Sequence, residues 1–409
     1  MSPNALLCFH CMNPIPEAGA ICLHCGHNNH TRDNGPGMLP EMVLNDQYQV
    51  GRVLGRGGFG VTYIGYDLSM ERKVAIKEYF PTHLVMRESN NCSLSTLTGS
   101  EEDYQKGLRR AIKESRMATT LGQVEHVVHI YNVFSANNTI YLIMEYVEGE
   151  TLTQYVESHL KHLSLPEAIR LLSPVAKALQ TLHSKRVIHR DVKPDNIMIE
   201  KNSQQGVLLD FGAARITDET TLSSSAAVVS AGYAPPEQYN LSSMDGRIDQ
   251  YALGATMVYT LTGKRPPDVI ERIAQGSAMP SLRALNSSLT PAAENAIYKA
   301  MAMKAQDRYP TVMAFWDALT RCAEGKGARF SLKKAVALAL SITLAGGVLA
   351  YFGPRTQLWQ QVFGQKSQPA GLSTVSLLTP SPEVLPSLTP LPSETAPTET
   401  PQPTEAPTP

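Results

Sequence analysis

The chain has 409 residues, 43% of them apolar, enough for a sizeable core in several domains or in one large enzyme with appendages. Its 36 basic and 37 acidic residues leave a formal net charge of -1, so no global charge bias points to nucleic acid or to an acidic partner. The opening residues lack a basic segment followed by a long apolar run, so no secretory signal peptide is expected.

The first element in chain order is a pair of CxxC turns, Cys8-Phe-His-Cys11 and Cys22-Leu-His-Cys25. Each turn can present two thiolates, and two turns supply the four soft ligands that tetrahedral Zn²⁺ prefers. Gly26 follows the second pair, where a metal knuckle often needs a residue without Cβ. Residues 1–30 therefore resemble a short zinc ribbon, with Cys8, Cys11, Cys22 and Cys25 as ligands to a structural Zn²⁺. His10, His24, His27 and His30 are alternative ligands, and disulfides or free thiols are the competing reading. Four thiolates leave no open position, which favours a structural or partner-contact role over a catalytic one. Residues 31–47, with Gly, Pro and Asn, read as a linker.

From 48 to 322 the pattern is that of a globular α/β domain. It opens with Leu54-Gly-Arg-Gly-Gly-Phe-Gly-Val-Thr62, in which Gly55, Gly57 and Gly60 make GxGxxG between strand-like stretches. Glycines let backbone amides approach phosphates without side-chain clash. A dinucleotide site would need a helix after the glycines, whereas Val61-Thr-Tyr-Ile64 reads as a strand. Val74-Ala-Ile-Lys77 is an alternating strand ending in a lysine suited to phosphate. A helix is expected over 104–121, and Glu114 is its glutamate best placed to hold Lys77. The stretch 80–100 reads as an insertion with no predictable path. Residues 141–147 read as a buried strand running into a connector.

His189-Arg-Asp-Val-Lys-Pro-Asp-Asn196 and Asp210-Phe-Gly212 follow, then Ala234-Pro-Pro-Glu237 and Asp307-Arg-Tyr-Pro310. In this order the motifs match the protein kinase family over about 48–322, and GYAPPEQY, KEYFP and TGKRPP resemble its bacterial, Hanks-type branch. The resemblance implies an α+β bilobal fold, a small β lobe over a larger helical one. It implies a serine/threonine protein kinase using ATP and Mg²⁺.

By the same resemblance Asp191 accepts the substrate proton, Lys193 neutralises the γ-phosphate, and Lys77 with Glu114 completes the catalytic set. Asn196 and Asp210 would bind Mg²⁺. ATP would contact Leu54, Gly55, Arg56, Gly57, Gly58, Phe59, Gly60, Val61, Thr62, Lys77 and the connector at Glu145 and Val147. Met144 stands as gatekeeper, and Thr62 stands where the family usually has valine. Glu237 is expected to pair with Arg308, and Asp249 to brace the catalytic loop. Arg190 implies a phosphate on the activation segment, with Thr220 or Thr221 the foremost sites among Thr217, Ser223, Ser224, Ser225 and Ser230; flexible loop hydroxyls are the competing reading.

Residues 323–334 are basic, and 335–352 are uncharged, near the lower edge of the about 17–25 residues expected of a membrane helix. Lys and Arg concentrate before this segment, which puts the N-terminal side in the cytoplasm and the tail outside. The tail, 353–409, is rich in Pro, Thr and Ser, and a disordered, extended stalk is expected. The expected partners are protein substrates and the membrane, with a homodimer allowed by the family but demanded by no motif, and no nucleic acid. A pseudokinase scaffold and a receptor with a sensing tail are the competing functions; the full catalytic set argues against the first, and the tail's composition offers no folded pocket for the second.

Overall fold

A computed structural model of the chain describes residues 6–30, 35, 37–120, 122–159, 162–210, 215–216, 230–239, 245–275 and 279–324. The expected membrane helix at 335–352, the tail, all but the first two residues of the basic segment and most of the activation segment lie outside these residues. Among the described residues no helix is long and apolar enough to cross a membrane.

The first lobe is built on an antiparallel sheet in the order β1-β2-β3-β4-β8-β7. Its strands are β1 (Val43–Leu44), β2 (Tyr48–Gly57), β3 (Gly60–Asp67), β4 (Arg72–Tyr79), β7 (Ile130–Ala136) and β8 (Thr139–Glu145). Val50, Val61, Tyr63, Val74, Ile76, Tyr141 and Ile143 belong to its buried core, as period-two strands with one face covered require. The expected linker over 31–47 is partly lobe: Val43–Leu44 adds an edge strand, and the buried Met38 donates its amide to Tyr63 Oη at 3.1 Å.

The insertion 80–100 contains a hairpin of β5 (Val85–Arg87) and β6 (Leu94–Thr96). Arg87 anchors it, reaching the fully buried Glu78 of β4 at 2.5 Å. The hydroxyls of Tyr63 and Tyr141 donate to the same carboxylate at 2.7 and 3.1 Å. Burial opposes the Arg87 charge, but the bond to Glu78 outweighs it and raises the guanidinium pKa. Burial, reinforced by Glu78, pushes both tyrosine hydroxyls well above their ordinary range. Helix α1 (Glu101–Thr120) follows, three residues earlier than the periodicity suggests, because Glu101, Glu102 and Asp103 favour its positive N-terminal end.

The second lobe is helical: α2 (Leu152–Ser158), α3 (Leu165–Ser184), α4 (Pro236–Tyr239), α5 (Arg247–Thr262), α6 (Val269–Gln275), α7 (Leu282–Leu285), α8 (Pro291–Ala300) and α9 (Val312–Ala323). α5 is buried on nearly every face, which is why it reads apolar all round rather than amphipathic. It ends at Gly263, whose left-handed φ of 66° closes the helix. A short sheet of β9 (Gly149–Thr151), β11 (Ile197–Glu200) and β12 (Gly206–Leu208), with β10 (Val187–Ile188) before it, carries the loop between Ile188 and Ile197.

Candidate active site

The glycine-rich segment is the hairpin between β2 and β3, with Gly57 paired to Gly60. A strand follows it, not a helix, which removes the dinucleotide reading. The glycines serve two purposes. A Cβ on Gly60 would stand 2.6 Å from the Glu78 carbonyl, so β3 and β4 need glycine there. A Cβ on Gly55, Gly57 or Gly58 would meet nothing within 4 Å, so their lack of side chain leaves open space beside the strands. Phe59 at the tip is exposed.

Lys77 sits in β4, in register with Thr62 of β3 and Leu142 of β8. Its amine ion-pairs with the Asp210 carboxylate. The expected pair with Glu114 is not formed: Glu114 accepts from Arg110 Nε, one turn earlier on α1, at 2.8 Å. Residues four apart on a helix face each other, so Arg110 competes locally with the distant lysine. In the connector, the Glu145 amide donates to the His129 carbonyl at 2.8 Å.

The loop from His189 to Asn196 is held from below. Asp249, at the start of α5 and fully buried, accepts the amides of His189 and Arg190 at 2.9 and 2.8 Å and His183 Nε2 at 2.7 Å. Burial alone would raise its carboxyl pKa; the His183 bond and the charges and amides around it prevail and hold it below the usual range. His189 Nε2 meets the Leu209 carbonyl at 2.9 Å, tying the loop to the residue before Asp210. Arg190 and Asp210 both take left-handed φ, 70° and 59°. For arginine this is uncommon, and the Asp249 and Gln238 bonds to its amide and carbonyl fix it.

Three side chains converge on the Asp191 carboxylate. Lys193 Nζ donates to its two carboxylate oxygens at 3.1 and 2.9 Å, Asn196 Nδ2 at 2.7 Å, and Ser230 Oγ at 2.6 Å. Lys193 also donates to Ser230 Oγ at 2.9 Å. The sequence offers Ser230 only as one hydroxyl among several; its place beside Asp191 depends on the fold. The Leu209 amide donates to the Asn196 carbonyl at 2.8 Å, so Asn196 and the segment leading into Asp210 are adjacent. An amide and a carboxylate are hard oxygen donors, as Mg²⁺ prefers.

The expected pairing of Glu237 with Arg308 is present in the geometry. Arg308 meets Glu237 bidentately at 2.5 and 3.0 Å. Asp268, beyond the expected residues, accepts the Gly232 amide at 3.0 Å and Tyr239 Oη at 2.7 Å, anchoring the segment around Tyr233.

The N-terminal cysteines also come together. Cys8 and Cys25 stand 3.7 Å apart, Cys11 and Cys22 3.6 Å, and all four sulfurs lie within 4.8 Å of one another. A disulfide would need about 2.05 Å. A tetrahedron with bonds of about 2.3 Å has sulfurs about 3.8 Å apart. The two turns repeat one hydrogen-bond scheme: the Met12 amide donates to the Cys8 carbonyl, and the Gly26 amide to the Cys22 carbonyl, each at 2.8 Å. The donor set and spacing fit Zn²⁺, with the nearby histidines outside the cluster.

The family model for the protein kinase domain matches residues 48–311. The chain is 33% identical over 294 residues to the serine/threonine-protein kinase PknA of Nostoc, covering 68% of this chain and 48% of that protein. It is 30% identical over 280 residues to PrkC of Bacillus subtilis, covering 67% of this chain and 40% of that protein. It therefore spans less than half the length of these curated relatives. Among solved structures, the apo form of PpkA-294 superposes with a TM-score of 0.60 at 30% identity, covering 70% of this chain and all of that one. The PknI kinase domain of Mycobacterium tuberculosis gives 0.53 at 24% identity, over 69% and 98%, a likeness of fold alone.

Proposed function

The chain belongs to the protein kinase family, and from that premise we propose that it transfers the γ-phosphate of ATP to serine or threonine hydroxyls of proteins. The observation that carries this reading is the convergence on Asp191. A serine hydroxyl already donates to its carboxylate at 2.6 Å with Lys193 2.9 Å from the same oxygen. Those two groups can therefore orient an aliphatic hydroxyl and compensate charge beside it, which is what phosphoryl transfer asks of a protein.

In this reading Asp191 orients the acceptor hydroxyl and takes its proton, and Lys193 screens the γ-phosphate. Leu54 to Thr62 cover the nucleotide, and Glu145 and Val147 bind the adenine through backbone groups. Mg²⁺ would be held by Asn196 and Asp210, and it would neutralise phosphate charge when bound. Lys77 leaves Asp210 for the α- and β-phosphates and for Glu114 once α1 has turned Glu114 away from Arg110. Autophosphorylation is proposed at Thr220 or Thr221, outside the described residues; Ser230 is engaged by Asp191 and Lys193 and serves the site instead. The test is label transfer from γ-labelled ATP to a generic serine/threonine protein substrate, lost in Asp191→Asn.

Two further readings rest on sequence and spacing. The sulfur tetrahedron supports a structural Zn²⁺, testable by metal analysis of purified protein, with one zinc per chain expected. The uncharged stretch 335–352 behind a basic flank supports a single membrane anchor with the kinase domain in the cytoplasm. Membrane fractionation tests it, and release by high salt alone would contradict it.

A further inference from the structure

The cysteine module sits against the nucleotide site. Leu7 and Met12 of the module form a buried cluster with Ile64 of β3, and Leu54, Tyr66 and Tyr146 pack against it. Leu54 precedes the glycine-rich turn, and Tyr146 lies in the connector between Glu145 and Val147. The module therefore touches both segments proposed to enclose the adenine.

The contact is built into β2. The β2–β3 ladder slips between Val50 and Val53 and again between Val53 and Gly55, so β2 carries extra residues where the module docks. Bulges of this kind redirect backbone groups and recur beside active sites. Here the Arg52 amide donates to the Phe9 carbonyl at 2.7 Å, and Arg52 Nε to the His10 carbonyl at 3.0 Å. Gly51 permits the approach: a Cβ there would lie 2.7 Å from the Phe9 carbonyl oxygen.

Met12 completes the case. It occupies the knuckle position that Gly26 fills in the second turn, with φ 55° against 72°. A side chain in that region is strained, and glycine would be the unstrained choice. Met12 is 1% exposed, and its side chain packs on Ile64. The turn sets this left-handed backbone in both copies, and a methionine rather than glycine stands in the first because its side chain packs on the lobe.

We propose that the four-cysteine module is a metal-dependent clamp on the nucleotide site, in which Zn²⁺ at Cys8, Cys11, Cys22 and Cys25 fixes the Leu7–Met12 turn, and that turn holds Leu54 and Tyr146 in their ATP-binding positions. The inference rests on the zinc reading above. Loss of zinc loosens the turn and weakens ATP, so the metal state sets the ATP concentration at which the enzyme works.

The experiment measures zinc content, ATP affinity and ATP KM on the full-length chain as purified, after a zinc-selective chelator, and after zinc is restored, with Mg²⁺ constant. Met12→Gly is measured beside it, because glycine suits the left-handed position and keeps the metal turn while removing the docking side chain; Met12→Leu is the conservative control. Zinc removal and Met12→Gly are each expected to weaken ATP about fivefold or more, the low end of usual coupling between sites. Zinc should stay at one per chain in Met12→Gly, kcat at saturating ATP should hold, and Met12→Leu should restore affinity. Bound zinc with ATP affinity unchanged by its removal and by Met12→Gly would overturn the clamp and leave the zinc reading standing. Protein that binds no zinc would overturn both.

Discussion

Asp249 illustrates how much of this site is support. Its carboxylate touches no reactant, yet it receives two loop amides and His183 in a fully buried position. Asp249→Ala should cost about 1–3 kcal/mol for each group left without a partner, read as a fall in the denaturation midpoint. Because its folded pKa is depressed, its contribution is complete above the ordinary carboxylate value of about 3.9 and is lost as pH falls through the lower folded value. Acid unfolding of Asp249→Asn, compared with the parent, should show less loss of stability across that window. An unchanged pH profile would contradict the assignment. The catalytic loop residues were legible because they lie together in the chain. Ser230 was not singled out, because its partners, Asp191 and Lys193, come from a segment almost forty positions earlier.

At the scale of elements, α1 carries the one expected pairing that the structure replaces. The sequence identifies Glu114 by helix position, but helix position says nothing of rotation, and Arg110 stands on the same face. Helical i,i+4 pairs are worth about 0.2–0.5 kcal/mol, far too little to lock a helix against binding energy. Glu114→Gln should accordingly leave thermal stability almost unchanged and lower kcat. Unaltered turnover would remove Glu114 from the reaction. The inserted hairpin behaves oppositely. Arg87→Met would leave Glu78 buried without its cation, and breaking such a pair typically costs about 3–5 kcal/mol. A drop in unfolding free energy below about 1 kcal/mol would show that Tyr63 and Tyr141 suffice for Glu78. No sequence signal marked this anchor, because Arg87 and Glu78 meet only once the hairpin folds back on β4.

At the scale of the molecule, the order of motifs made the two-lobed architecture legible, since each motif requires its own strand, turn or helix. The docking of the cysteine module was not legible: it depends on a β2 bulge, on Gly51, and on a methionine at a glycine position. Within the stretch that reads as a linker, Met38 and Val43–Leu44 join the lobe for a related reason: their contacts come from Tyr63 and β2. The anchor and stalk proposed for residues beyond 324 rest on charge and composition alone.

The measurement that bears most directly on the account is phosphate transfer from γ-labelled ATP with Mg²⁺, comparing the full-length chain with Asp191→Asn. The account predicts label on serine or threonine with the parent chain, and a rate lower by about 10²–10⁴ in the variant, the range for losing a positioned general base. Equal labelling by both would contradict the role of Asp191. A parent chain that binds ATP and transfers no phosphate to any hydroxyl would contradict the proposed activity and leave a nucleotide-binding scaffold.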